Sequence, residues 1–224
     1  MRSEERPIGF FAHPDGGAVP GVVIIPDVWG LSDLYRGIAR RLAADGFAAL
    51  AIDPYRKTGK AEITDPLAWI RTLSDPVILE TVQEAIDALA TPKVGVMGCC
   101  MGGQYALLAA CSCRGLSACV SFYGMVRYGS GLDPARKPRS PLDAIADLRC
   151  PLLGLYGEED AFIPVADVEE LRRRLAAAGK DFDLRLYPGA GHAFMNDTRP
   201  AAYRPEAAAD AWRRMLAFFR ERLA

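Results

Sequence analysis

Histidine is almost missing from this chain. Its 224 residues include two, His13 and His192, so any imidazole chemistry falls to one of them. That scarcity argues against a histidine-built metal centre. The six cysteines, Cys99, Cys100, Cys111, Cys113, Cys119 and Cys150, do not form the paired C-x-x-C knuckles of a zinc site either. No metal and no organic cofactor is expected. An excess of charge of one sign is also lacking: Lys plus Arg total 27, Asp plus Glu 28, for a net charge of -1. That balance offers no broad basic field for nucleic acid. No apolar run is long enough to span a bilayer, and no apolar leader follows Met1-Arg2-Ser3-Glu4-Glu5-Arg6. The expectation is a cytoplasmic protein with reduced cysteines, no membrane partner and no nucleic-acid partner. Repeats and low-complexity linkers are absent as well.

What is present is the composition of a globular domain, half hydrophobic and a quarter charged. Residues 1–224 suit a single domain with a core that needs no staple. Short β-branched runs alternate with helical periods. Gly21 to Ile25, Phe47 to Ile52, Val94 to Gly98, Ala118 to Tyr123, Leu152 to Tyr156 and Phe182 to Tyr187 read as buried strands. Leu34 to Ala43, Val77 to Leu89, Met101 to Cys113, Val165 to Ala178 and Pro205 to Leu223 read as helices. Ile8 to Ala12 is expected as an antiparallel edge strand. Such alternation predicts an α/β fold, a mostly parallel central sheet with helices on both faces. The segment from Arg127 to Pro141 is loop-like, either a lid or rim or a plain surface crossover.

The strongest chemical signal is Gly98-Cys99-Cys100-Met101-Gly102-Gly103, where a buried strand runs directly into a helix. A G-x-nucleophile-x-G sequence in that context makes a sharp elbow that aims the central side chain out above the sheet. Glycines two residues either way remove side chains that would collide with neighbouring backbone. Counting from Gly98 to Gly102 puts Cys100 at the centre, with Cys99 pointing away. The helix N-terminus beneath it favours a thiolate.

A thiol nucleophile needs a base. His13 lies at what reads as a hairpin end. His192, in Gly189-Ala190-Gly191-His192-Ala193-Phe194, follows the last strand at the carboxyl edge of the sheet, where such a fold places its histidine. The histidine in turn needs an acid to orient it. Gly157-Glu158-Glu159-Asp160 offers three carboxylates, and Asp160 is preferred because it lies furthest past its strand, beside Phe162-Ile163-Pro164.

These motifs resemble the dienelactone hydrolase family of the α/β-hydrolase fold over nearly the whole chain. The resemblance is carried by Pro26-Asp27-Val28-Trp29-Gly30-Leu31, Gly46 to Tyr55, the cysteine elbow, Phe122-Tyr123-Gly124, Tyr156 to Asp160 and Gly191-His192-Ala193-Phe194. It implies an oxyanion hole from the amides of Val28 and Met101. It also implies an acid switch at Asp27, where the family's type enzymes are expected to carry glutamate, or else a strand-end turn at that residue. Residues expected at the substrate or switch position are Asp27, Trp29, Arg36, Tyr123, Phe194 and Asn196. Asn196 stands where the family has an arginine for a substrate carboxylate; Arg36, Arg71, Arg199 and Arg204 are candidate replacements.

The reaction this implies is hydrolysis of a small ester or lactone by Cys100, His192 and Asp160 through an acyl-thioester. The alternatives are a carboxylesterase or thioesterase for another small acyl group, a non-catalytic scaffold that binds a small molecule or partner, and redox sensing through Cys99 and Cys100. Monomer and homodimer both stay open.

Overall fold

In the computed structural model, which describes residues 1–224, the chain runs β1 (Arg2–Arg6), β2 (Gly9–His13), β3 (Gly21–Ile25), α1 (Asp33–Ala44), β4 (Ala48–Ile52), α2 (Pro66–Thr72), α3 (Asp75–Leu89), β5 (Val94–Cys99), α4 (Met101–Ser112), β6 (Leu116–Phe122), α5 (Pro141–Ala144), a 3-10 turn (Ile145–Asp147), β7 (Leu152–Gly157), α6 (Val165–Ala177), β8 (Phe182–Tyr187) and α7 (Pro205–Arg222). One eight-stranded sheet has the order β1-β2-β4-β3-β5-β6-β7-β8. From β4 to β8 all pairings are parallel, while β1 and β2 are antiparallel additions at one side. The mostly parallel α/β sheet is therefore as the alternation predicts.

Burial explains the strand sequences. Every residue of β3, β4, β5 and β7 is buried, as expected of strands covered on both faces, which read as continuous apolar runs. The helix α4 is buried over all but its last residue, Ser112, and is apolar on every side for that reason. It packs against β5 and β6 on one side and α3 on the other.

Two elements differ from expectation. The segment expected as the edge strand is β2, second from the edge; β1 pairs outside it. The β1 sequence Arg2-Ser3-Glu4-Glu5-Arg6 has no apolar alternation to announce a strand, and the ladder to β2 forms through its backbone. The short helix α2 was also unforeseen. Asp65 caps it, its carboxylate accepting the amides of Leu67 and Ala68, and Pro66 occupies the first helical position.

The turn from β5 to α4 works only with glycine. A Cβ on Gly98 would sit 2.0 Å from the Gly102 carbonyl oxygen, and one on Gly102 would sit 1.9 Å from that of Ile25. The strand end and the helix start thus pack backbone to backbone. Gly102→Ala should destabilise the fold by more than about 3 kcal/mol. Gly37→Ala, in α1 with nothing within 4 Å of a new Cβ, should stabilise it by roughly 0.5–1 kcal/mol. Urea unfolding midpoints of the two variants check both signs; a tolerated Gly102→Ala would refute the close packing.

Candidate active site

Cys100 sits between β5 and α4 with φ 57° and ψ -119°, a conformation that non-glycine residues adopt only when their surroundings force it. Its N–H donates to the Phe122 carbonyl (3.0 Å), and its own carbonyl accepts the Gln104 amide (3.1 Å), tying the turn to β6 and to the first turn of α4. The thiol is half-buried, whereas Cys99 is buried beside Tyr35 and Tyr123, and burial pushes its thiol up to about 12.

His192 comes from the loop after β8. Its Nδ1 lies 2.8 Å from Asp160 Oδ2. The Asp160 side chain is fully covered, and its Oδ1 accepts the amides of Phe162 (2.8 Å) and Ile163 (3.1 Å). Glu158 and Glu159, the competing carboxylates, are exposed. The imidazole lies edge-on to the rings of Tyr123 and Phe162, at centroid distances of 5.1 and 5.0 Å. Burial opposes a charge on His192, but the hydrogen bond to Asp160 and the neighbouring Cys100 thiol outweigh it and hold its pKa at about 10.

The loop after β3 forms the opposite wall. Asp27 accepts the Trp29 amide on Oδ1 (2.9 Å) and the Gly30 amide on its carbonyl (2.9 Å), leaving the Val28 N–H between them without a protein acceptor. Met101 is the first residue of α4, so its N–H has no carbonyl one turn earlier to bond. Tyr55 braces both residues: its buried hydroxyl donates to the Val28 carbonyl (2.7 Å) and lies 3.5 Å from Met101 Sδ. Burial raises the Asp27 pKa, against the pull of the Trp29 amide, Tyr35, Arg199 and His192.

These groups surround one cavity of about 260 Å³. Cys100, His192, Asp27, Val28, Trp29, Met101, Tyr123 and Asn196 all line it. Asp160 does not touch it, and two residues expected on the substrate side do not either. Arg36 is a correction: its guanidinium is held by Glu5 (2.7 Å) and the Leu31 carbonyl (3.2 Å) on the far side of that loop. Phe194 is fully buried behind the cavity, packed on Tyr123 and Tyr187, so it supports the wall rather than facing a ligand. Asn196 turns its Oδ1 to Thr198. Of the candidate arginines, Arg199 reaches the cavity and stacks over Trp29 at 5.6 Å. Arg204 is spent on backbone carbonyls of Gly189, Ala201 and Tyr203. The apolar residues of α2, Leu67 and Ile70, line it with Met125, Phe162 and the polar Gln104; the Asp65-Pro66 helix start was the signal that could have found the α2 pair.

No group of three or more potential metal ligands occurs in the structure, and no helix is long and apolar enough to cross a membrane. The parallel sheet, the glycine-flanked elbow and the histidine loop after the last strand define the class: the α/β-hydrolase fold. The model of the dienelactone hydrolase family matches residues 8–223, and the chain belongs to that family of carboxylic ester hydrolases. It is 33% identical over 218 residues to the "Putative carboxymethylenebutenolidase" of Methylorubrum extorquens, covering 92% of this chain and 74% of that one. It is 34% identical over 226 residues to the "Probable 2-oxo-3-(5-oxofuran-2-ylidene)propanoate lactonase" of a Bradyrhizobium species, covering 96% of this chain and 90% of the other. A crystal structure titled "Putative Dienelactone Hydrolase" from Klebsiella pneumoniae superposes with a TM-score of 0.88 at 32% identity, over 95% of this chain and 92% of that one.

The raised His192 pKa has a thermodynamic sign. Because the folded value of about 10 exceeds the ordinary 6.5, the protonated ring stabilises the fold fully below about pH 6.5, and that contribution is lost as pH rises through about 10. With two imidazoles in the chain, NMR titration can follow His192 directly. Asp160→Asn and Cys100→Ala should each lower its midpoint. An unchanged midpoint in Cys100→Ala would uncouple the thiol from the ring.

Proposed function

We propose that the chain hydrolyses a small ester or lactone by covalent catalysis, with Cys100 as nucleophile, His192 as acid and base, and Asp160 as the residue that orients His192. The observation that carries this reading is the strained Cys100 at a helix start, sharing one cavity with a histidine whose Nδ1 is held by a covered carboxylate. A neighbouring imidazolium and a helix N-terminus both favour the thiolate. The thiolate attacks the carbonyl carbon, and the oxyanion is received by the Val28 and Met101 amides. His192 gives its proton to the leaving oxygen, forming an acyl-thioester on Cys100. Acylation removes the thiolate charge that helped to raise the His192 pKa. The ring can then take a proton from water, and the resulting attack releases the acid. Asp160 keeps Nδ1–H toward itself throughout, so Nε2 is the working nitrogen.

Asp27 occupies the family's switch position. Its hold on the Trp29 amide supports a turn-shaping role that presents the Val28 N–H. On the substrate side, Arg199 is the cation of the cavity wall, and it supports a lactone or ester with a carboxylate at that end. The name of the Bradyrhizobium relative describes such a molecule, a lactone bearing a propanoate. The apolar remainder of the lining favours a second reading, a carboxylesterase for neutral acyl groups.

Initial rates on a dienelactone and on p-nitrophenyl acetate separate these readings. Cys100→Ala should lower turnover of either by about a thousandfold or more, while Cys99→Ala should retain it; a dead Cys99→Ala with an active Cys100→Ala would overturn the assignment. Arg199→Met should raise KM for the anionic lactone by about fivefold and leave the neutral ester unchanged. Turnover of the neutral ester alone moves the substrate to the second reading, and turnover of neither supports a binding scaffold.

A further inference from the structure

The cavity above Cys100 does not end at its own wall. A second cavity of about 320 Å³ adjoins it, and both are lined by Leu67, Ile70, Gln104, Met125 and Phe162. Gln104 is the polar member of that shared set. It stands one helical turn after Cys100, and residues four apart lie on the same helix face. It is fully buried.

Which end of the Gln104 amide is free follows from its neighbours. Lys137 and Asp75 form a covered ion pair at 2.6 Å. As a carboxylate, Asp75 can only accept. Its Oδ1 takes the Lys137 ammonium and the Tyr105 hydroxyl (2.9 Å), and its Oδ2 takes the Tyr128 hydroxyl (2.7 Å). The single proton of Tyr128 is thereby committed, so toward Gln104 the Tyr128 oxygen can only accept. The Gln104 contact at 3.0 Å is accordingly made by its Nε2–H. The carbonyl Oε1 is left over, buried and without a partner. A buried acceptor left unpaired is unfavourable, and an apolar side chain would avoid the cost altogether.

We propose that Gln104 Oε1 is a specificity-determining acceptor for a hydroxyl or enol donor on the acyl part of the substrate, and that the second cavity holds the part of the acyl chain beyond that donor. The proposal rests on the hydrolytic reading of the Cys100 site and adds to it a substrate class, the hydroxyacyl esters. Tyr128, Asp75 and Lys137 are positioning residues in this arrangement, fixing the amide so that it presents oxygen and not nitrogen. The loop from Arg127 to Pro141 supplies Tyr128 and Lys137 and forms one wall of the second cavity, which makes it a rim.

The test uses three p-nitrophenyl esters: butyrate, 3-hydroxybutyrate and 3-methoxybutyrate. The methyl ether keeps an oxygen in place but removes the donor. The native protein should prefer the hydroxy ester over the methoxy ester by about tenfold in kcat/KM, equivalent to ~1.4 kcal/mol. Gln104→Met should bring that ratio close to one. Tyr128→Phe, which frees the amide to turn over, should shift the ratio toward the methoxy ester; a purely structural tyrosine would lower all three rates alike. Equal rates on the hydroxy and methoxy esters by a native protein that turns over butyrate would overturn the subsite alone. No turnover of any of the three would overturn the hydrolytic reading and the subsite with it.

Discussion

The contact on which the site depends is made between two backbones. Gly102, in the first turn of α4, lies so close to the end of β3 that a single added carbon would fall within 1.9 Å of the Ile25 carbonyl. That approach draws the helix start down against the sheet and leaves Cys100 no ordinary conformation in which to bridge strand and helix. The Cys100 amide bonds across to Phe122 on β6, so the turn is fixed from both neighbouring strands. The same closeness brings the β3 loop, with its unclaimed Val28 amide, alongside the Met101 amide. The proposed nucleophile and the amides proposed to receive the oxyanion thus follow from one packing arrangement.

Strain is concentrated where the chemistry is proposed. Four non-glycine residues have positive φ: Ala90, Cys100, Tyr123 and Ala193. Ala90 caps the end of α3. The other three all line the cavity. At roughly 1–3 kcal/mol each, they consume a sizeable part of the ~5–15 kcal/mol that a domain has in hand. They persist because the surroundings over-determine them, with fully buried β5 and β7 and the buried Ala118 to Phe122 stretch of β6 around them. Flexible groups would lose their alignment on each opening of the site, whereas strained but immobilised ones are already arranged for the developing charge.

How far the sequence announced this follows from how local each signal is. The elbow was legible because glycine spacing, strand and helix all fall within a few residues of Cys100. The alternation of strands and helices was legible because each period lies within one segment. Arg36 and β1 illustrate the opposite case, and they share a cause. Nothing in Arg2 to Arg6 marks a strand, so nothing placed Glu5 beside α1. Once β1 is in the sheet, Glu5 takes the Arg36 guanidinium, and the arginine is lost to the cavity. Phe194 was misplaced for a related reason: a motif gives proximity to His192 but not the direction of a side chain, and here the ring turns inward onto Tyr187.

The Asp75 cluster shows the same limit from the other side. Its members come from α3, α4 and the loop before α5, and Lys137 is 62 residues from Asp75. No periodicity links them, and singly each reads as a surface charge or a core aromatic. Only the fold reveals that they share one carboxylate and that the sharing dictates a proton's position on Tyr128. Buried polar groups are tolerated where every member is satisfied. This network leaves one atom without a partner, the buried Oε1 of Gln104, a residue that lines both cavities. A donor brought by a ligand would complete the network, which is why the proposed subsite is placed at Gln104 and not at an apolar position of α4.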